Sequence, residues 1–106
     1  VPFSSINDRM QFSTEKYQKV NLIATDRSML DIYCLLPGQK QDLHAHQGND
    51  KYYVVWRGEA EVTIGNETRR LEPGDVAVAG PGEPHAIANP AQRPLVVLVF
   101  QAPNPF

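Results

Sequence analysis

Between Ala60 and Ile64 the chain alternates cleanly. Ala60, Val62 and Ile64 fall on one face and Glu61 and Thr63 on the other, the pattern of a strand with one covered side. Strand-forming runs of similar length recur along the chain. Lys19–Ala24 predicts a first strand, and Asp26, Arg27 and Ser28 turn it into a second over Met29–Leu36, so the two read as a hairpin. Pro37 and Gly38 stop that second strand. Tyr52–Trp56 is an unbroken strand-forming run. Gly65, Asn66 and Glu67 make a tight turn into Thr68–Leu71, and Pro73, Gly74 and Asp75 turn into a short strand over Val76–Ala79. The last run, Leu95–Phe100, is apolar on both faces, which predicts a central strand covered on both sides; Pro103 and Pro105 end it.

No window keeps a helical period for three turns, and turn residues recur every eight to twelve positions. That spacing predicts an all-β sandwich or barrel, in which closure or sheet stacking hides the strand edges. A βαβ fold has no room for its crossover helices. The 106 residues read as one domain, divided into an N-terminal extended arm over 1–18, a β-barrel over 19–102 and a C-terminal tail over 103–106. The arm is mostly polar but carries Phe3, Ile6, Met10 and Phe12, and it either packs along its own sheet or crosses to a partner subunit.

Charge and cysteine content narrow the partners. The net charge is -2 and no basic cluster exceeds Arg69-Arg70, which argues against nucleic acid or an anionic membrane as partner. Cys34 is the only cysteine, so no disulfide forms within the chain, and its apolar setting reads as a buried structural thiol. No apolar run approaches 18 residues and no signal-peptide pattern is present, so the expected location is cytoplasmic.

The chemistry gathers in two Gly-rich stretches. In Gly38–Gly58, His44 and His46 stand two apart, which on a strand puts both imidazoles on one face. Gly74–Asn89 supplies the third and last histidine, His85. Three imidazoles in a short chain make a metal site if the fold brings them together.

Together these stretches resemble the cupin superfamily, small barrels of jelly-roll (double-stranded β-helix) type. The first family motif is a Gly, five residues, His-x-His, three or four residues, Glu, six residues and Gly. Gly38, His44, His46 and Gly58 stand where it asks. The second is a Gly, five residues, Pro-x-Gly, two residues, His, three residues and Asn, matched by Gly74, Gly82, His85 and Asn89. The chain departs from the pattern twice. Gly80 stands at the proline position, and Lys51 stands where a liganding glutamate is expected. Asp50 is at the shorter permitted spacing from His46, and it becomes a ligand only if a bulge turns it inward.

The resemblance implies that His44, His46 and His85 hold a divalent transition metal, Fe, Mn, Ni, Cu or Zn, with Asp50 as a conditional fourth ligand. The alternative is a vestigial site whose histidines are hydrogen-bonded within a polar pocket. Lys51 has three readings: turned outward with Asp50 inward, reaching the pocket rim to pair with Asp50 or Glu83, or standing inside as a cation for a substrate carboxylate or phosphate. If Lys51 faces inward, so do Tyr53 and Val55, while Tyr52, Val54 and Trp56 face out. Lys51 and Tyr53 are accordingly the catalytic candidates, with packing as the other reading of Tyr53. Trp56 is a candidate for the surface through which cupins pair, implying a homodimer. Asn89 reads as a residue that fixes a loop by hydrogen bonds.

Two functions remain open. One is a metal-dependent enzyme acting on a small organic anion, with dioxygenase-like chemistry preferred over an isomerase. The other is a non-catalytic module that binds or senses a small ligand. An open coordination position favours the enzyme, whereas histidines already satisfied by the protein, with Lys51 filling the centre, favour the binding module.

Overall fold

A computed structural model of the chain describes residues 2–106; residue 1, the start of the expected arm, lies outside the described residues. The arm contains one turn of helix, α1 (Ile6–Arg9), whose first turn is capped by the Ser5 hydroxyl accepting from the Asp8 amide at 3.4 Å. Nine strands follow: β1 (Gln18–Ala24), β2 (Met29–Leu35), β3 (Lys40–His44), β4 (Asp50–Arg57), β5 (Ala60–Ile64), β6 (Glu67–Leu71), β7 (Val76–Ala79), β8 (His85–Ala88) and β9 (Leu95–Ala102). They form two antiparallel sheets, one ordered β1-β2-β9-β4-β7 and the other β3-β8-β5-β6. This is the double-stranded β-helix. No helix among the described residues is long and apolar enough to cross a membrane.

The five-stranded sheet is buried on both faces over β2 and β9, which is why Leu95–Phe100 reads as apolar throughout. Its inner face contributes Tyr33, Leu35, Tyr53, Val55, Leu95, Val97 and Val99 to the core, and the other sheet supplies Ala60, Val62, Leu71 and Ile87. On its outer face Val20, Leu22, Ile32, Cys34 and Val96 form a second cluster, covered by Ile6, Met10 and Phe12. Of the two placements open to the arm, these residues take the first and pack on their own sheet. Each large apolar side chain so buried contributes roughly 1.5–3 kcal/mol. Gly58, which turns β4 into β5, has φ +88°, and a Cβ there would lie 2.5 Å from the Pro94 carbonyl oxygen. Only glycine fits both demands.

Paired residues on neighbouring strands point the same way, so the register sorts the interior into layers. Leu35 pairs with Leu95, Tyr33 with Val97 and Asp31 with Val99. Across the next ladder Val55 pairs with Val97, Tyr53 with Val99 and Lys51 with Gln101. Each strand therefore passes from aliphatic to polar along its inner row, and all do so toward the same end of the barrel.

Candidate metal centre

The polar end is shaped by an irregularity in β3. Gln41 pairs with Ile87 and His44 with His85, so three steps along β3 match two along β8. This β-bulge turns both Gln41 and His44 inward although their spacing is odd. The structure corrects one expectation here. β3 ends at His44, and His46 lies beyond it in the 45–49 loop, so the two imidazoles do not meet through strand periodicity. Instead the His46 carbonyl accepts from the Gly82 amide at 2.6 Å, which ties its loop to the 80–84 loop leading into His85.

The three rings face one another with centroids 4.8 Å (His44–His46), 4.2 Å (His44–His85) and 5.3 Å (His46–His85) apart. One ligand nitrogen from each lies within 4.8 Å of the others. His44 Nδ1 meets the Asp42 carbonyl at 2.7 Å and His85 Nδ1 meets the Glu83 carbonyl at 3.0 Å. A carbonyl only accepts, so each Nδ1 carries the proton and each Nε2 keeps its lone pair. His85 Nε2 is buried with no hydrogen-bond partner. Burial, opposed by the Glu83 carbonyl and reinforced by Lys51, pushes the His85 pKa down to about 4, and burial also lowers His44 and His46. Neutral imidazoles with free, converging nitrogens are what a divalent transition metal requires. The residues fit the ion: the backbone carbonyls occupy one nitrogen of His44 and of His85, and no protein group satisfies the buried Nε2 of His85.

Lys51 stands beside this group, 2% exposed. Its Nζ donates to Gln41 Oε1 at 3.3 Å and lies 5.2 Å from the Tyr33 ring centroid and 5.5 Å from that of Tyr53. Among the described residues it forms no ion pair with a carboxylate. Burial, aided by Lys19 and opposed by Asp31, lowers its pKa to about 8. The pairing with Asp50 or Glu83 is absent: Glu83 Oε1 instead accepts from the Gly80 amide at 3.1 Å. Asp50 is also corrected as a ligand. The β4–β9 register is regular from Asp50 to Val55, so Asp50 faces away from Lys51, and it is not part of the three-histidine group. Tyr53 lies inside with its hydroxyl buried and unpartnered, its ring 6.3 Å from that of His85. Asn49 donates to Gln101 at 3.0 Å, and Asn89 fixes its loop through the Leu35 and Arg93 carbonyls at 2.9 and 2.8 Å.

Sequence reasoning misses Gln41 on this wall; period two puts Tyr33, Asp31 and Leu35 on one face of β2 without saying which face is interior, and the structure turns that face inward. The signal for Tyr33 and Asp31 is the parity they share with Leu35; for Gln41 the bulge erases it.

The cupin domain family matches residues 31–101. The chain belongs to the cupin superfamily. The protein TT1209 from Thermus thermophilus superposes with a TM-score of 0.92 at 36% identity, covering 97% of this chain and 98% of the other. A Klebsiella pneumoniae protein with a double-stranded β-helix domain gives 0.90 at 26% identity, covering 99% and 92%. In sequence, this cupin is 26% identical over 109 residues, 96% of its length, to the mannose-1-phosphate guanylyltransferase RfbM of Salmonella typhimurium. It spans only 22% of that relative. Within the family pattern this cupin is set apart by the buried Lys51 at the position of the glutamate ligand.

Proposed function

We propose that this cupin is a metal-dependent enzyme acting on a small organic anion. One observation carries the reading: a buried ammonium, unpaired by any carboxylate, stands beside three neutral imidazoles whose free nitrogens converge. The carboxylate on this wall, Asp31, is engaged by the Asn21 amide and forms no ion pair with Lys51, so an anionic substrate is needed to neutralise the ammonium and the metal. The ion, held by His44, His46 and His85 and drawn from Fe, Mn, Ni, Cu or Zn, would supply Lewis acidity and, for iron or copper, a position for dioxygen.

The other roles fall to this chain's own residues. Lys51 holds a substrate carboxylate, and Gln41 aims the ammonium through its 3.3 Å hydrogen bond. The Tyr53 hydroxyl offers a hydrogen bond to the bound anion, and burial keeps it protonated by pushing its pKa above the ordinary value. The rings of Tyr33 and Tyr53 exclude water on either side of Lys51. An isomerase needs a base at the substrate. Asp50 and Glu83 are turned elsewhere, the carboxylate on this wall, Asp31, is engaged by the Asn21 amide at 2.9 Å, Tyr53 stays protonated, and Lys51 stays charged while it holds an anion, so dioxygenase chemistry is preferred. Both oxygen atoms then enter the substrate, which itself supplies the four electrons, and no further reductant is needed.

A non-catalytic binding module is the second reading, favoured by Lys51 at the glutamate position, where it weakens the hold on any cation. Metal content per chain separates the two, measured on protein purified without a His tag and without air. Near-stoichiometric metal that is lost in His44→Ala supports the enzyme. A wild type that stays empty after incubation with each ion, while Lys51→Glu gains one, replaces it with the binding module.

We also propose that two copies pair through the outer face of β4, β7 and β9. The arm covers the β1–β2 side of this sheet and leaves Tyr52, Trp56, Val76, Val78 and Phe100 exposed side by side. A second copy offers the matching apolar patch. Sedimentation of the wild type as a dimer and of Trp56→Glu as a monomer tests this.

A further inference from the structure

We propose that Lys51 takes up carbon dioxide as a carbamate when the metal centre is loaded and no organic anion fills the site. This rests on the reading of the three histidines as a metal site, and it adds a covalent modification beside them. Lys51 is 2% exposed, and among the described residues its Nζ meets no carboxylate and donates to Gln41 Oε1 at 3.3 Å. The Tyr33 and Tyr53 rings border the same atom, with centroids at 5.2 and 5.5 Å. Asp31, the carboxylate on this wall, is held by the Asn21 amide at 2.9 Å instead. An amine enclosed by two rings and one amide oxygen, with no counter-ion, is pressed toward its uncharged form. Its pKa, lowered by burial to about 8, agrees. The uncharged amine has a lone pair and is a nucleophile.

Position decides what that nucleophile is for. Lys51 is close enough to the metal centre for its charge to depress all three imidazoles. Gln41, which holds its Nζ, is turned inward by the same β3 bulge as His44. Three neutral imidazoles leave the full charge of a divalent ion beside this amine, and a carboxylate formed there offsets half of it. Carbon dioxide is small and uncharged, so it reaches a buried amine. The lone pair of Nζ attacks its carbon, an N–C bond forms, one C–O π pair moves onto oxygen, and one proton leaves to water. Nothing is oxidised or reduced. The carbamate keeps an N–H for Gln41 Oε1 and brings an acceptor toward the Tyr53 hydroxyl, which is buried without a partner. Organic anion and carbamate then compete for one need of negative charge, and the modified chain is the resting form.

The test is carbon-13 NMR of the purified protein, incubated with Zn(II) and equilibrated at about pH 8 with carbon-13 bicarbonate as the source of carbon dioxide. Zinc per chain is measured on the same samples. The wild type is expected to show a carbamate signal that is missing from Lys51→Met and kept in Lys40→Gln, which alters an exposed lysine paired with Asp42 at 3.4 Å. Stripping the zinc with EDTA should weaken that signal about fivefold or more. Zinc uptake without a Lys51-dependent signal, a signal lost equally in Lys40→Gln, or one that survives EDTA overturns the carbamate and leaves the metal site standing. A chain that takes up no zinc overturns both.

Discussion

The two ends of the barrel interior are built by the same strands and differ only in which residues those strands point inward. At one end Leu35, Val55, Leu95 and Ile87 fill the space and hold the sheets together. Four residues back along β4 from Val55, the same face carries Lys51, and β9 passes from Leu95 and Val97 to Gln101. The aliphatic end lowers the free energy of the fold, and the polar end raises it by burying an unpaired ammonium, an unpartnered hydroxyl and a lone imidazole nitrogen. Groups that cost stability when empty are the ones a ligand satisfies. Stability and binding thus occupy opposite ends of one cavity.

Substitutions at the two ends should then move stability in opposite directions. The largest loss is expected at Gly58, where alanine meets both a positive φ and the Pro94 carbonyl. Gly58→Ala should cost about 4 kcal/mol or more, seen as failure to fold or a collapsed melting temperature. Leu95→Ala should cost about 3 kcal/mol in urea unfolding while leaving metal per folded chain unchanged.

At the polar end the sign reverses. Lys51→Met should stabilise the metal-free protein by about 2 kcal/mol at pH 7. In the folded wild type the ammonium titrates near 8 rather than 10.5. Between those values the folded state sheds a proton that the unfolded chain keeps, so wild-type stability rises with pH and the advantage of Lys51→Met shrinks across that window. Urea melts from pH 7 to 10.5 check both size and direction; a destabilised Lys51→Met would break the comparison. The smallest effect is expected for Tyr53→Phe, a gain of up to about 1 kcal/mol in the metal-free protein, because the hydroxyl it removes has no partner.

The sheet framework was legible because turn residues punctuate it. Pro37-Gly38, Gly65-Asn66 and Pro73-Gly74 each end or begin a strand, and an apolar run with two covered faces belonged in the middle of a sheet. Period two also placed Lys51, Tyr53 and Val55 on one face of β4 and Tyr52 and Trp56 on the other. The site was less legible where the backbone leaves that period. The β3 bulge hid Gln41, and the loop position of His46 is set by a hydrogen bond from Gly82, far along the chain.

The bulge also bears on how the chain tolerates changes of length. Elsewhere in a barrel strand, losing one residue inverts every side chain beyond the deletion. Between Gln41 and His44 the strand already carries one residue more than β8 requires, and Leu43 there is 59% exposed. Deleting Leu43 would draw β3 into regular register with Gln41 and His44 still facing inward. What it would disturb is the Asp42 carbonyl that holds the His44 ring, so drift in length at this point would register as looser aim of one imidazole before it registered as a broken sheet.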